Sequence, residues 1–131
     1  SGSSGSSGLS DSDKAKADFY AKLGQNDLRK GNYVAAATNF NKARQINSSN
    51  AIAIAGLGEI ALQQSQYGGA IKHLSRAVRL RRSARTYTLL GEAYLGAGQN
   101  AKAAKAFKTA LKLNPDNPRA ANGYNEATGG N

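Results

Sequence analysis

A Leu-Gly pair recurs in fixed register along this chain of 131 residues, and this repeat constrains the fold more than any other feature. Gly24, Gly58 and Gly91 mark its three copies, and the step between successive copies is about 34 residues. Three further positions keep the same step: Ala36, Ala70 and Ala103; Phe40, Leu74 and Phe107; Ala43, Ala77 and Ala110. Because many residue types recur in three copies, the sequence predicts three successive units of one supersecondary structure.

Each unit shows helical periodicity twice. Apolar residues fall three or four positions apart, as at Tyr20 and Leu23 and again at Ala36, Phe40 and Ala43. Turn signals separate the two runs of every unit. The sequence therefore predicts helices near residues 13–30, 33–46, 50–64, 67–81, 84–97, 100–113 and 117–127.

The repeated glycine is expected to serve packing. Glycine costs about 1 kcal/mol in a helix interior relative to alanine, so its threefold recurrence indicates a close approach of two helices. We expect the glycine of each first helix to face the alanine of the second helix, with Phe40, Leu74 and Phe107 filling the space between units. One helix pair leaves an apolar face uncovered, so the pairs are expected to stack.

The pattern resembles the tetratricopeptide repeat (TPR), in which aromatic residues, Leu-Gly, alanines and a final proline recur over about 34 residues. The resemblance covers residues 17–50, 51–83 and 84–117 and implies an all-α superhelix, a solenoid of three antiparallel helix pairs. Residues 118–131 are expected to form a capping helix and tail, with Tyr124 packing toward Phe107 and Ala110. Several positions depart from the family pattern: Asp27 and Ala61 replace the mid-helix aromatic that Tyr94 keeps, and the second unit is one residue short.

The ends and the composition limit the classes of function. Residues 1–8 look like an expression linker and are expected to be disordered, and residues 9–16 lead into the first unit. The chain is expected to be a fragment of a longer protein. It has no cysteine, no apolar run of the roughly 18 residues that span a membrane, and no phosphate-binding glycine loop. His73, the single histidine, is expected at the surface, so we predict no enzyme activity, metal site, cofactor or small-molecule substrate; the compartment is not fixed.

The resemblance implies a concave groove lined by the first helix of each pair. Its expected lining residues are Lys22, Gln25, Leu28, Arg29, Ile52, Ala55, Glu59, Leu62, Gln63, Arg85, Thr88, Leu89, Glu92 and Leu95. Leu28, Leu62 and Leu95 stand at equivalent positions, where they either form an apolar stripe for a ligand or pack between first helices. Glu59 and Glu92 are expected to pair with Lys22, Arg29 or Arg85, or to bind a basic group of the ligand. The leading prediction is a scaffold or adaptor that binds a peptide or helix of a partner protein.

The sequence argues against one specialised use of this fold. One TPR subfamily clamps the C-terminal carboxylates of chaperone tails with lysine, asparagine and arginine. The matching positions here hold Ala21, Gln25, Gly56, Arg85 and Leu89, and only Arg85 supplies a comparable charge. Since paired carboxylates need several converging cations to offset their desolvation, we predict no carboxylate clamp.

The formal charge is +10, and much of it lies in a basic outer patch: Lys72, Arg76, Arg79, Arg81, Arg82, Lys102, Lys105, Lys108 and Lys112. This patch is either a solvated outer face or a docking site for an acidic protein, a lipid headgroup or nucleic acid. Direct nucleic-acid recognition is the least favoured, because no aromatics are interleaved with the charges. The alternative to an adaptor is structural self-assembly, through end-to-end stacking or through the terminal helix. An adaptor is expected to be monomeric as an isolated domain.

Overall fold

The computed structural model describes residues 8–130, which form seven α-helices and no strand. Their bounds agree with the predicted helices to within two residues, whereas most of the predicted disordered linker, residues 1–7, lies outside the described part. The helices are α1 Asp11–Arg29, α2 Tyr33–Ile46, α3 Ala51–Gln63, α4 Tyr67–Leu80, α5 Ala84–Gly96, α6 Asn100–Leu113 and α7 Pro118–Thr128. The chain divides into two compact units, Ser1–Gly56 and Leu57–Asn131, and α3 contributes residues to both.

The helices begin and end at residues suited to those places. Side-chain caps start both α1 and the capping helix α7: the Ser10 hydroxyl accepts a hydrogen bond from the Asp13 amide at 3.0 Å, and the Asn117 side chain accepts one from the Ala120 amide at the same distance. The turn inside each pair needs a residue with positive φ. Gly31 and Gly98 supply it at φ 79° and 78°, and Ser65 takes the equivalent place at φ 59°.

In the unit Ser1–Gly56, the core is built around one aromatic ring. Phe40 is fully buried, and it lies against both Gly24 of α1 and Gly56 of α3. A methyl group built on Gly24 would lie 2.6 Å from the ring, which is closer than real side-chain carbons approach. Buried alanines complete this core: Ala17, Ala21, Ala36, Ala43 and Ala53.

In the unit Leu57–Asn131, Phe107 is packed in the same way. The ring is fully buried and lies against Gly91 of α5, where an added methyl would be 2.7 Å away, and against Gly123 of α7. Tyr124 packs against the cluster that contains Phe107 and Ala110, as predicted. The capping helix therefore uses a glycine to contact the preceding second helix, as a first helix of a further pair would.

Each repeated glycine was expected to face an alanine of the second helix, and this expectation was wrong. The nearest atoms to Gly24, Gly58 and Gly91 belong to Phe40, Leu74 and Phe107. The glycines leave room for these large side chains, which need more space than an alanine would.

A second set of positions varies together with the large side chains. Gly56, Leu89 and Gly123 stand at equivalent positions of successive repeats and lie in the helix that follows Phe40, Leu74 and Phe107, respectively. A phenyl ring meets glycine at the first and third junctions, whereas at the second the smaller Leu74 shares a core cluster with Leu89. The larger phenyl ring is thus combined with glycine, and the smaller leucine is combined with a second leucine. This compensation in side-chain volume keeps the packing close at all three junctions.

Candidate functional site

In the unit Leu57–Asn131, an ion pair joins α3 to α5. The Arg85 guanidinium donates from Nη1 to Glu59 Oε1 at 2.9 Å and from Nη2 to Glu59 Oε2 at 3.0 Å. This two-point geometry fixes the orientation of both side chains more firmly than a single contact would. The pairing of Glu59 with Arg85 was among the sequence-based expectations and is confirmed.

A second pair of the same kind joins α5 to α7. Arg119 donates to both carboxylate oxygens of Glu92, from Nη2 at 2.6 Å and also from Nε. The hydrogen bond from Glu92 raises the pKa of the Arg119 guanidinium above its ordinary value, so this side chain remains charged at any working pH. Arg119 was absent from the predicted site, although its position one repeat after Arg85 was a usable signal.

In both ion pairs the arginine is more exposed than its glutamate partner. The side chains of Arg85 and Arg119 are 63% and 54% exposed, whereas those of Glu59 and Glu92 are 12% and 25% exposed. A molecule approaching this surface therefore meets guanidinium groups already held in place by less exposed glutamates. The alternative in which Glu59 and Glu92 themselves bind a basic ligand group is disfavoured, because their oxygens already accept from arginine.

Two leucines lie at the equivalent place on α3 and α5. Leu62 is half-buried and packs against the cluster around Leu74, and Leu95 is half-buried and packs against the cluster around Phe107. Both predicted roles are therefore compatible with their placement, since each side chain packs inside and keeps part of its area accessible. Gln63, next to Leu62, is exposed.

Two predicted lining residues of this unit lie in the interior. Leu89 is fully buried in a core cluster, where it fills the junction with Leu74. Thr88 is 3% exposed, and its hydroxyl donates to the Ala84 carbonyl at 2.8 Å and accepts from the Asn117 amide at 3.2 Å. Neither side chain is available to a ligand, so both are removed from the candidate surface.

In the unit Ser1–Gly56, the predicted lining residues differ in their exposure. Lys22 and Arg29 are exposed, whereas Gln25, Leu28, Ile52 and Ala55 are half-buried. Among the positions that match the carboxylate clamp, Ala21, Gly56 and Leu89 are buried, Gln25 is half-buried, and Arg85 donates to Glu59. Asp18 of α1 accepts a hydrogen bond from the buried Asn50 side chain at 2.7 Å.

All nine residues of the basic outer patch are exposed. Two of the cations cover tyrosine rings: Lys102 lies 6.0 Å from the ring centroid of Tyr94, and Arg82 lies 5.5 Å from that of Tyr87. His73 is half-buried instead of lying fully at the surface. Within residues 8–130, no group of three metal-ligating side chains comes together, and no helix has the length and apolarity needed to cross a membrane.

Antiparallel helix pairs that recur at a nearly constant step define this chain as a helical repeat protein. It belongs to the tetratricopeptide repeat family, since two models of that family match it, over residues 27–93 and 84–117. The predicted recognition, with three helix pairs followed by a capping helix, and the all-α fold class are thereby confirmed. None of the curated proteins compared with the chain is significantly similar to it in sequence.

Solved structures of other proteins have the same fold. An O-GlcNAc transferase from Thermobaculum terrenum is 28% identical over 91% of this chain, with a TM-score of 0.83, and the chain spans 23% of its length. The TPR domain of Arabidopsis OM64 is 18% identical, with 89% of this chain and 98% of that one covered and a TM-score of 0.81. The second TPR domain of human RPAP3, in complex with an HSP70 peptide, is 22% identical, with coverage of 88% and 98% and a TM-score of 0.79.

Proposed function

We propose that this domain is a protein-interaction module that binds a peptide or a helix of a partner protein on the side formed by its first helices. The observation that carries the proposal is the pair of exposed arginines, Arg85 and Arg119, held by the buried Glu59 and the half-buried Glu92 and accompanied by half-buried Leu62 and Leu95. The RPAP3 domain of the same fold has an HSP70 peptide as its ligand, which supports a peptide ligand here too. The proposed role is binding and not catalysis.

The arrangement suits hydrogen-bond acceptors on the ligand. A guanidinium has five N–H groups, so each arginine can keep its two bonds to glutamate and still donate to a ligand. Arg85 and Arg119 occupy equivalent positions one repeat apart, which suits acceptors spaced along an extended segment. Leu62 and Leu95 provide apolar area on which side chains of that segment pack. The ligand therefore needs carbonyl oxygens interleaved with apolar side chains.

We further propose that the ligand is not an acidic chaperone tail held in a carboxylate clamp. A terminal carboxylate needs several free cations, and here Arg85 is largely neutralised by Glu59 while Ala21, Gly56 and Leu89 are buried. Titration calorimetry with an acidic C-terminal pentapeptide tests this directly. A Kd below about 10 μM would contradict the exclusion.

Affinity capture with the linker-free domain at physiological salt, followed by NMR mapping of the bound partner, tests the main proposal. We expect the double variant Leu62→Ser with Leu95→Ser to keep its helicity and to bind the captured partner at least about tenfold more weakly. Val34→Ser is a matched control, because Val34 is 84% exposed and lies in the other unit. Unchanged partner binding by the double variant would refute the proposed surface.

Light scattering separates this proposal from self-assembly. An adaptor domain is expected to keep the mass of a monomer over a wide range of protein concentration. A mass that rises with concentration would favour the alternative, in which the repeats associate with further copies.

A further inference from the structure

The second helices α4 and α6 of the unit Leu57–Asn131 carry a repeated basic pattern. Lys72 and Lys105 stand at equivalent positions one repeat apart, and so do Arg79 and Lys112. All four side chains are exposed. Neither Tyr67–Leu80 nor Asn100–Leu113 contains an aspartate or glutamate. No acidic side chain of the same helix therefore offsets the positive charge of either α4 or α6.

Each basic helix also exposes one leucine beside its cations. Leu80 is 42% exposed and Leu113 is 41% exposed, and the two are again equivalent. On α4, the positions of Lys72, Arg79 and Leu80 fall within about 100° of arc around the helix axis. The two cations lie two turns apart, about 10.5 Å along the axis, and the leucine follows the second of them.

This repeated combination of two cations and one leucine indicates the kind of partner. We propose that the face of α4 and α6 docks an acidic amphipathic segment of another protein, with carboxylates on the lysines and arginines and apolar side chains on Leu80 and Leu113. A segment with acids two helical turns apart and an apolar residue beside them matches the pattern of one basic helix.

Other polyanions fit this face less well. Single-stranded nucleic acid requires aromatic faces for base stacking, and the rings of Tyr87 and Tyr94 are already covered by Arg82 and Lys102. A lipid surface requires a broad apolar face, whereas each basic helix offers a single half-exposed leucine near its C-terminal end. An acidic protein segment uses both the charges and the separate leucines.

The proposed docking face is distinct from the peptide surface described above. It consists of second helices, whereas Glu59, Arg85, Glu92 and Arg119 lie on α3, α5 and α7. The domain would thus contact one ligand with its first helices and an acidic segment with its second helices.

Fluorescence anisotropy with a defined probe tests the inference. The probe is a labelled alanine-rich helical peptide with glutamates two turns apart and a leucine beside each. The test variant is Lys72→Glu with Lys105→Glu, and the matched control is Lys14→Glu with Lys16→Glu, two exposed positions of α1 that give the same net charge. We expect binding to weaken about tenfold or more in the test variant and by no more than about threefold in the control.

Three further measurements complete the test. Leu80→Ser with Leu113→Ser should weaken probe binding severalfold while leaving the circular dichroism spectrum unchanged, which separates apolar contact from charge alone. Equal loss in the test variant and its control would overturn the inference, because it would show a general effect of net charge.

Tighter binding of a random DNA duplex, or of vesicles containing phosphatidylserine, than of the peptide would overturn it in favour of nucleic acid or membrane. Lys72→Gln with Lys105→Gln repeats the test should the charge-reversed variant fail to fold.

Discussion

The large Phe107 ring packs against Gly123, and this combination of a large and a small residue leads to a double-mutant prediction. Gly123→Leu places a large side chain against a fully buried ring that the glycine already contacts closely. Phe107→Leu shrinks the ring and leaves a gap. Together the two changes recreate the Leu74–Leu89 packing of the preceding junction. We therefore expect each single variant to be less stable than the wild type and the double variant to recover most of the loss.

The magnitudes follow from the packing at this junction. Overpacking a well-filled core costs about 1–3 kcal/mol, and leucine returns about 0.8 kcal/mol of helix propensity over glycine, so Gly123→Leu should cost roughly 1–2 kcal/mol. Phe107→Leu removes three carbon atoms from a fully buried site, for which about 1–2 kcal/mol is expected. Added independently, the two losses would reach about 2–4 kcal/mol. We expect the double variant to lie within about 1 kcal/mol of the wild type, a coupling of about 1–3 kcal/mol.

Urea unfolding followed by circular dichroism measures these free energies of unfolding, with equal m-values required across the four proteins. Gly68 provides a control, because it lies on α4 with open space around it. Phe107→Leu combined with Gly68→Leu should therefore be additive. Additivity of Phe107→Leu with Gly123→Leu, to within about 0.5 kcal/mol, would refute the idea that these positions compensate each other.

Three other predictions concern single positions. Gly91→Ala should lower the free energy of unfolding by about 1 kcal/mol because its methyl would meet Phe107, whereas Gly68→Ala, in open space, should raise it by about 0.5–1 kcal/mol; thermal unfolding of the two variants measures both. Ser65→Gly should raise the thermal midpoint by a few degrees, corresponding to about 0.5–1 kcal/mol, since φ at this position is 59°; an unchanged or lower midpoint would contradict this reason. Folding raises the pKa of Arg119 above its value in the unfolded chain. The stability that this charged side chain contributes is therefore complete below the unfolded pKa and is lost only as the pH rises through the still higher folded pKa. The difference in unfolding free energy between wild type and Arg119→Gln should accordingly stay constant from about pH 6 to pH 9.

The helices were predictable because their signals are local. Repeat register, turn residues and apolar spacing fix the start and end of each helix, as with the positive-φ glycines Gly31 and Gly98. The packing of one helix pair against the next within Leu57–Asn131 was also predictable, since a single pair leaves its apolar face open. What these signals could not supply was the partner of each repeated glycine, because spacing along one helix does not tell which residue of another helix occupies the space beside it.

The candidate site was predictable only in part for the same reason. Helical spacing places Thr88 and Leu89 near the side that carries Glu92, but their burial depends on the adjacent helices, which bring Asn117 and Leu74 against them. The pair between Glu92 and Arg119 required knowing that the capping helix takes the register of a first helix. Comparing Arg119 with Arg85, one repeat earlier, would have shown this.

The alternating ring-glycine and leucine-leucine junctions determine the order in which these repeats can follow one another. A tandem copy of residues 84–117 would place Leu89 over Phe107, where the native chain has Gly123, and a tandem copy of residues 51–83 would place Gly56 over Leu74, where it has Leu89. The first duplication would be overfilled at its new joint and the second would contain a void. In an array built from this domain, the residue at the position of Gly56 in each repeat must therefore be chosen to fit the residue at the position of Phe40 in the repeat before it.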